Sequence, residues 1–466
     1  MLFNYPRIII AALRGGSGKT ILSLGLAAAW LEKGYKIATF KKGPDFIDAG
    51  WLTFSAGSQC HNLDPFLMNP EQMLDSFLTN SPDADICLIE GNRGLYDGLD
   101  VEGSCSTAEL ARLLNCPVLL IVDVTMSTRT VASVVKGCQV FDPEINITGV
   151  ILNRVAGPRQ ENLIRDSIER YCGIPVVGSV PRLKDNPFPE RHMGLVPFQE
   201  RDQAEKAVMW TKSIVKKYLD LDQIWDLAHR GADLGRLSST KRTLYEIRPA
   251  QERPRIGFIL DKSFWFYYPE NLDHLRQMGG QLVEINALTD KELPEIDTLY
   301  IGGGFPETQA LALAENVTFR TSLKRKIENG LPVYAECGGL MYLGESLLVE
   351  GNTYPMVGEL PIVFTLKKRP QGHGYTVLKV DRQNPYYEVG ETIKGHEFHY
   401  SMPVITSREG WDFVFTMDRG SGIYDLRDGI CRKNVLATYT HIHAGGNPQW
   451  AQNIYRVAVN YKFRTP

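Results

Sequence analysis

Residues Arg7–Thr20 read RIIIAALRGGSGKT, and this stretch decides the fold of the N-terminal half. The apolar run predicts a short buried strand, the glycines a tight turn, and the apolar periodicity from Ile21 a helix. In such a turn successive backbone N–H groups face one point, where the positive end of the helix dipole adds its field. Lys19 can reach terminal phosphates, and the Thr20 hydroxyl can bind Mg²⁺. The stretch therefore predicts the nucleotide site of an NTPase, with these cofactor-binding residues: Gly15, Gly16, Ser17, Gly18, Lys19 and Thr20.

The loop departs from the usual G-x-x-x-x-G-K-[ST] spacing, because Leu13 occupies the position of the first glycine. Arg14 stands near the place where partition-type ATPases carry a second lysine. A glycine-rich turn without a ligand is the plain alternative. The order of strand, GKT loop and helix favours a nucleotide site over it.

Composition narrows the class of protein. A chain of 466 residues is too long for one ordinary core, so at least two domains are expected. The net charge of −3 and the absence of a long basic run argue against nucleic acid as a partner. The eight scattered cysteines contain no C-x-x-C pair, which favours a reducing cytoplasm over a disulfide framework. We expect no membrane span, because no apolar run approaches ~18 residues. We expect no signal peptide, because the N-terminal apolar strand runs straight into the phosphate loop.

Further apolar runs in the N-terminal half predict a mainly parallel α/β sheet, since they are continuous and alternate with helical patterns. Ligands of such sheets lie beyond the carboxyl ends of the strands. Asp45, Asp48 and Glu90 follow predicted strands at that edge. Each acid alone is more simply a solvated loop residue. As a set with Thr20 they predict a Mg²⁺ site, because Mg²⁺ prefers a few hard oxygen ligands.

Asn153 follows another predicted strand, in the sequence ILNRV. Its amide could read an adenine edge, and a cap of a helix or turn explains it about as well. The Pro-rich and charged stretch from Lys184 to Gln199 is either a loop over the site or a plain surface loop. Residues 210–234 have a helical pattern.

The C-terminal half begins a second α/β pattern after a polar stretch. There AECGG places Cys337 on a tight turn between a strand and a helix, which we expect to expose the thiol and to lower its pKa. Gly338 and the Gly302–Gly304 run offer N–H groups for an oxyanion. A cysteine nucleophile needs a base, commonly histidine. His441 is the candidate, on a predicted terminal strand in which His441 and His443 share one face.

A second histidine-rich stretch contains His396 and His399. The chain has no matching cysteine ligands, so the histidines are not expected to form a structural metal site. Cys337 also has a plain alternative, because a cysteine between a strand and a helix is often only a buried core residue. The neighbouring glycines favour a nucleophile here.

In several of its motifs the chain resembles the cobyrinate a,c-diamide synthase family. The resembling motifs are GGSGKT, KGPDFID, EGNRGLYDG, IGGGFPE, AECGGLMYL, GHEFHYS and TYTHIH, in the family's order. The resemblance implies an α/β protein of two domains. These are a P-loop, dethiobiotin-synthetase-like ATPase with a parallel sheet (1–234) and a class I-type glutamine amidotransferase (255–466), joined by a linker (235–254).

The resemblance also implies an activity. Cys337 would be the glutaminase nucleophile and His441 the residue that activates it. The substrates would be ATP, L-glutamine and a tetrapyrrole polycarboxylate, cobyrinate or hydrogenobyrinate, amidated on its a and c side chains through acyl phosphates. His443 stands where most class I amidotransferases have a glutamate, which leaves the third member of the triad open.

Other interpretations stay open at this point. The same chemistry could act on Ni-sirohydrochlorin, and Asn92 and Arg93, which replace apolar residues of many members, keep this alternative. Cobyric acid synthase is a third relative. A partition-like regulatory ATPase with a degenerate amidotransferase domain belongs to another class and rests on Arg14 alone. The sequence does not fix the oligomeric state, and a homodimer is one option.

Overall fold

The structure, a computed structural model, describes residues 2–183, 190–191, 194–195, 201–235 and 252–464. The chain divides into two compact units, Met1–Thr240 and Lys241–Pro466. The predicted linker at 235–254 and the stretch from Lys184 to Gln199 fall largely outside the described residues, so the domain limits stay a prediction.

The N-terminal unit is built on a seven-stranded sheet in the order β4-β3-β5-β2-β6-β7-β8, with every neighbouring pair parallel. Two-residue pairs β1-β11 and β9-β10 lie apart from it. The strands are β1 Leu2–Phe3, β2 Arg7–Ala12, β3 Ile37–Lys42, β4 Cys60–Leu63, β5 Ile86–Glu90, β6 Val118–Asp123, β7 Ile147–Val155, β8 Val176–Pro181, β9 Glu190–Arg191, β10 Gly194–Leu195 and β11 Leu234–Gly235.

Helices surround this sheet, and that explains why β2 is buried along its whole length and reads as a continuous apolar run. The helix after the phosphate loop packs closely against a later helix at Gly25. A side chain at this position would collide with Val215. The helices are α1 Lys19–Glu32, α2 Phe46–Ala56, α3 Pro70–Asn80, α4 Thr107–Leu113, α5 Thr130–Phe141, α6 Pro158–Cys172, α7 Arg201–Tyr218 and α8 Leu221–Ala228.

The C-terminal unit has a nine-stranded mixed sheet in the order β14-β12-β15-β17-β26-β25-β24-β21-β22, of which the first five strands are parallel. A four-stranded sheet, β19-β18-β20-β23, and the pair β13-β16 complete it. The strands are β12 Arg255–Ile259, β13 Phe264–Phe266, β14 Gln281–Ile285, β15 Thr298–Ile301, β16 Gly303–Gly304, β17 Val333–Glu336, β18 Ser346–Val349, β19 Asn352–Pro355, β20 Ile362–Leu366, β21 Gly372–Val380, β22 Thr392–His399, β23 Ser401–Ile405, β24 Asp412–Arg419, β25 Arg427–Arg432 and β26 Val435–Thr438.

The helices of this unit are α9 Pro269–Gln277, α10 Ala310–Glu315, α11 Val317–Glu328, α12 Gly338–Leu343 and α13 Pro448–Lys462, with a 3₁₀ turn at Pro306–Gln309.

Two helical predictions were too long. The helical pattern of 210–234 is divided near Asp220, whose side chain caps α8 by accepting from the Gln223 N–H. In the C-terminal unit the apolar pattern predicts a single helix over Leu311–Glu328, but Asn316 interrupts it and caps α11. Polar residues that compete for backbone hydrogen bonds thus end helices that the apolar periodicity alone would continue.

The predicted terminal strand was also too long. The strand β26 ends at Thr438, and His441 forms only an isolated bridge with His396 beyond it. His441 and His443 therefore do not alternate on one strand, although both side chains are buried.

Candidate functional site

The phosphate loop has the backbone that the sequence predicted. Gly16 and Gly18 adopt φ values of 69° and 94°, in the left-handed region that favours glycine. The helix α1 begins at Lys19 directly after them. The Lys19 ammonium donates to the Arg93 carbonyl at 2.6 Å and to the Arg14 carbonyl at 3.2 Å. Burial lowers the pKa of Lys19, and the neighbouring charge of Lys41 lowers it further.

Asn153 lies against this loop rather than apart from it. Its amide nitrogen donates to the Ser17 carbonyl at 2.8 Å, and its oxygen accepts from the Arg154 N–H. These contacts fix the loop, so reading of an adenine edge by Asn153 stays a prediction. Arg14 pairs with Asp123 at 2.9 Å while its side chain is 69% exposed.

A buried cluster of charge lies at the carboxyl edge of the sheet. The Thr20 hydroxyl donates to Glu90 Oε1 at 2.7 Å. The Lys41 ammonium donates to the same oxygen at 2.8 Å and to Asp48 Oδ2 at 2.6 Å. The Lys41 side chain is only 2% exposed. The sequence did not single out Lys41 as the centre of this cluster, although it placed two lysines at the end of the strand.

Burial sets the proton affinity of the carboxylates here. It raises the pKa of Glu90, while the opposite charge of Lys41 lowers it. Burial also raises the pKa of Asp45, and the charge of Asp48 raises it further. Asp45 caps α2, because its Oδ1 accepts from the Asp48 N–H at 2.9 Å. Of the four predicted metal ligands, Thr20 and Glu90 are in contact, and Asp48 reaches Glu90 only through Lys41.

The residues present suit a hard cation. Glu90 Oε2 is buried and has no hydrogen-bond partner among the described residues. A buried, unpartnered carboxylate oxygen beside a threonine hydroxyl is the donor set that Mg²⁺ accepts. Among the described residues, Asp45, Asp48 and Glu90 do not form a group of three acids that could hold a metal ion, so a ligand role for Asp45 or Asp48 stays a prediction.

In the C-terminal unit Cys337 occupies a strained turn between β17 and α12, with φ 48° and ψ −98°. The thiol is buried, with the residue 4% exposed, and Sγ lies 3.8 Å from the Phe398 carbonyl oxygen. Burial raises the pKa of the Cys337 thiol, and the nearby Glu307 charge raises it further. The expectation of an exposed, acidic thiol was therefore wrong, because desolvation outweighs the end of the six-residue helix α12.

Glycines bring the backbone close to this turn. A side chain at Gly303 would collide with the His441 ring, and a Cβ at Gly338 would lie 2.9 Å from the Gly304 nitrogen. Of the N–H groups expected to bind an oxyanion, that of Gly302 already donates to the Tyr267 hydroxyl at 2.8 Å.

His441 is held by Glu336 of the strand β17, which pairs with β26. The strands β17 and β26 pair in parallel, with Glu336 opposite Thr438, so the residues after each strand emerge at the same edge. His441 is buried, and its Nδ1 lies 3.3 Å from Glu336 Oε2. Glu336 was missed in the sequence. An acidic residue directly before the cysteine in AECGG is the signal that could have revealed it.

The neighbouring histidines differ in their contacts. The His396 ring stacks on it with ring centres 5.0 Å apart. Burial lowers the pKa of His396, and the neighbouring histidines lower it further. His443 lies 3.4 Å from Glu270. Within the described part of the chain, no three histidine, cysteine or acidic side chains form a group that could hold a metal ion.

Comparisons with known proteins identify both domains. A family model for a CobQ/CobB/MinD/ParA nucleotide binding domain matches residues 8–196, and one for a CobB/CobQ-like glutamine amidotransferase domain matches residues 255–449. A cobyrinate a,c-diamide synthase of Magnetococcus marinus is 42% identical over 98% of this chain and 98% of its own length. The chain belongs to the cobyrinate a,c-diamide synthase family.

A member of this family from Archaeoglobus fulgidus is 39% identical over 98% of this chain and 99% of its own length. One from Dehalococcoides mccartyi is 38% identical with the same coverage. These matches confirm the predicted family and the two-domain α/β fold class. In the part of the chain that the structure describes, no helix is long and apolar enough to cross a membrane.

Proposed function

We propose that this protein amidates the a and c carboxylates of cobyrinate, or of its hydrogenobyrinate relative, with ATP and glutamine. The observation that carries the proposal is near-complete coverage by relatives named cobyrinate a,c-diamide synthase, at 38–42% identity. The geometry adds support, because each unit contains the kind of site that the reaction requires: a phosphate loop in one and a cysteine–histidine site in the other.

In the N-terminal unit the phosphate loop binds ATP. Lys19 exchanges its two carbonyl contacts for terminal phosphate oxygens and so stabilises charge on the group in transfer. Thr20 and Glu90, with Asp45 or Asp48, would hold Mg²⁺, which when bound neutralises phosphate charge. A substrate carboxylate oxygen attacks the γ-phosphorus, which gives an acyl phosphate and ADP.

In the C-terminal unit Cys337 attacks the side-chain amide carbon of glutamine. His441 accepts the thiol proton and passes it to the leaving nitrogen, so ammonia departs and a thioester remains. Water, activated by the same imidazole, hydrolyses the thioester to glutamate. Ammonia then attacks the acyl phosphate carbon and displaces phosphate, which leaves the amide.

Mass spectrometry of the tetrapyrrole product tests the proposal. We expect two carboxylate-to-amide conversions of cobyrinate with ATP and glutamine. Cys337→Ala should abolish the glutamine-dependent reaction and retain the reaction with added ammonia, whereas Lys19→Ala should abolish both. Ammonia-dependent amidation that survives Lys19→Ala would refute the acyl-phosphate step.

The same experiment separates the alternatives. Conversion of Ni-sirohydrochlorin, with cobyrinate left unchanged, would move the proposal to that substrate. A protein that hydrolyses ATP but releases no glutamate from glutamine would be a regulatory ATPase. The Arg14 side chain gives that interpretation no support, because it pairs with Asp123 of its own chain.

A further inference from the structure

We propose that Glu336, the residue directly before the nucleophile, is the positioning residue that holds His441 for glutamine hydrolysis. The inference rests on the proposed function, in which Cys337 and His441 do the chemistry. In most amidotransferases of this class a glutamate two residues after the histidine has this position. Here the role falls to Glu336, the last residue of the strand that leads to the nucleophile.

The contacts of the Glu336 carboxylate fix both the ring and the backbone that carries it. Oε2 lies 3.3 Å from His441 Nδ1. Oε1 accepts from the Ile442 N–H at 3.4 Å. One carboxylate therefore binds the imidazole and the next peptide group together, which restrains rotation of the ring about its side-chain bonds.

The carboxylate is itself held by a buried network. The Tyr300 hydroxyl donates to Glu336 Oε2 at 3.2 Å. The Asn271 amide donates to the Tyr300 oxygen and, at 2.7 Å, to the Ile442 carbonyl. Its oxygen accepts from the Ala444 N–H. Asn271 thus connects the residue that supports Glu336 to the segment that follows His441.

This arrangement determines which ring nitrogen does the chemistry. A carboxylate at Nδ1 keeps the proton there and leaves Nε2 to accept the thiol proton. It also stabilises the imidazolium that forms when the thiolate does. That stabilisation is needed here, because burial disfavours the Cys337 thiolate. The groups that face the His441 ring are Glu336 from β17, His396 from β22 and Phe266 from β13.

Nearby acids have other partners. Glu270 lies 3.4 Å from His443. Glu397 accepts from the N–H groups of Ser421 and Gly422 and lies 3.8 Å from His399. Glu270 is buried beside a histidine, as Glu336 is, and is therefore a matched control.

The decisive variant is Glu336→Gln, which keeps the shape of the side chain and removes its charge. We expect the glutamine-dependent kcat to fall by about 10²- to 10⁴-fold, in the range seen when a triad carboxylate is replaced by its amide. The KM for glutamine and the ammonia-dependent rate should stay close to wild type. The rate of iodoacetamide labelling of Cys337, followed by peptide mass spectrometry, should reach its midpoint at higher pH.

Controls make the outcomes distinguishable. Glu270→Gln should keep both the glutaminase rate and the labelling profile of the wild type. Glu336→Asp keeps the charge and should recover part of the rate and of the labelling profile. A merely structural role would lower the ammonia-dependent rate as well and leave the labelling midpoint unchanged, and either result overturns the inference.

Two results separate failure of the inference from failure of the proposed function. Wild-type glutaminase activity in Glu336→Gln, with none in Cys337→Ala, would refute the inference alone. Glutaminase activity in Cys337→Ala would refute the proposed function. If Glu336→Gln does not fold, Tyr300→Phe removes one donor from the carboxylate. It should lower the glutamine-dependent rate and spare the ammonia-dependent one, and an unchanged glutamine-dependent rate would refute the inference.

Discussion

Replacing Lys41 with methionine should strongly destabilise the N-terminal unit. Lys41 is 2% exposed and bridges Glu90, which is fully buried, and Asp48, which is 20% exposed. Removing one partner of a buried ion pair leaves the other charge without compensation, which costs about 3–5 kcal/mol. Most of this cost should come from Glu90, because water can still reach Asp48. We therefore expect Lys41→Met to lower the free energy of unfolding by about 3–5 kcal/mol at pH 8.

The cost should depend on pH in a definite direction. Burial already raises the pKa of Glu90, and the loss of the Lys41 charge raises it further. A carboxyl group whose folded-state pKa exceeds its unfolded-state pKa binds more protons in the folded state. Stability is then lost as pH rises from the unfolded-state pKa through the folded-state one. The destabilisation by Lys41→Met should therefore be smaller at pH 5 than at pH 8.

Urea unfolding followed by pulsed hydrogen exchange of peptides from β3 and β5 measures this unit alone, which matters because a chain of two units need not unfold in two states. The double variant Lys41→Met/Glu90→Gln removes both charges and should recover most of the loss. A cost of Lys41→Met below about 1 kcal/mol, a value typical of exposed pairs, would contradict a buried pair between Lys41 and Glu90. A double variant as unstable as the single one would contradict it as well.

Three further changes give distinct results. Asn271→Ala removes two hydrogen bonds to buried backbone groups of the segment 442–444, at about 1–3 kcal/mol each, and should lower the urea midpoint of the C-terminal unit. Gly303→Ala places a methyl group against the His441 ring, so the glutaminase rate should fall by at least about tenfold while the ammonia-dependent rate stays, as steady-state kinetics would show. Gly18→Ala, at φ 94° and 2.8 Å from the Asn153 amide, should weaken ATP binding measured by calorimetry and reduce both rates.

The parallel strands of the core could be predicted from the sequence, because they are buried on both faces and read as apolar runs. The apolar runs predict strands at Ile86–Glu90 and Gln281–Ile285, and the observed strands have these limits. The strand Cys60–Leu63 was missed, since CHNL is short and half polar. The antiparallel strands between β17 and β26 were missed because their pairing depends on distant partners rather than on local pattern.

Some residues of the candidate site could be predicted from the local sequence, and others could not. Residues on the phosphate loop and at strand ends follow from local order, and Lys19, Thr20 and Glu90 are placed where the sequence put them. Burial of Cys337 could not be predicted, because it arises in a core built from distant parts of the chain, with the Phe398 carbonyl oxygen 3.8 Å from Sγ. The contact between Glu336 and His441 likewise needs the pairing of β17 with β26, which no local spacing reveals.

The turn at Cys337 affects how Glu336 and Cys337 are placed relative to His441. Consecutive side chains of a regular strand point to opposite faces, so Glu336 and Cys337 would normally diverge. The left-handed φ of 48° at Cys337 redirects the chain, and both residues remain one peptide bond apart at a single edge. Covalent geometry thus fixes the distance between the two Cα atoms at about 3.8 Å, and rotation about the side-chain bonds sets the remaining spacing between the carboxylate and the thiol. The distance from this pair to His441 depends on non-covalent alignment, namely the register of β17 against β26 and the bridge that His441 forms with His396 beyond β26.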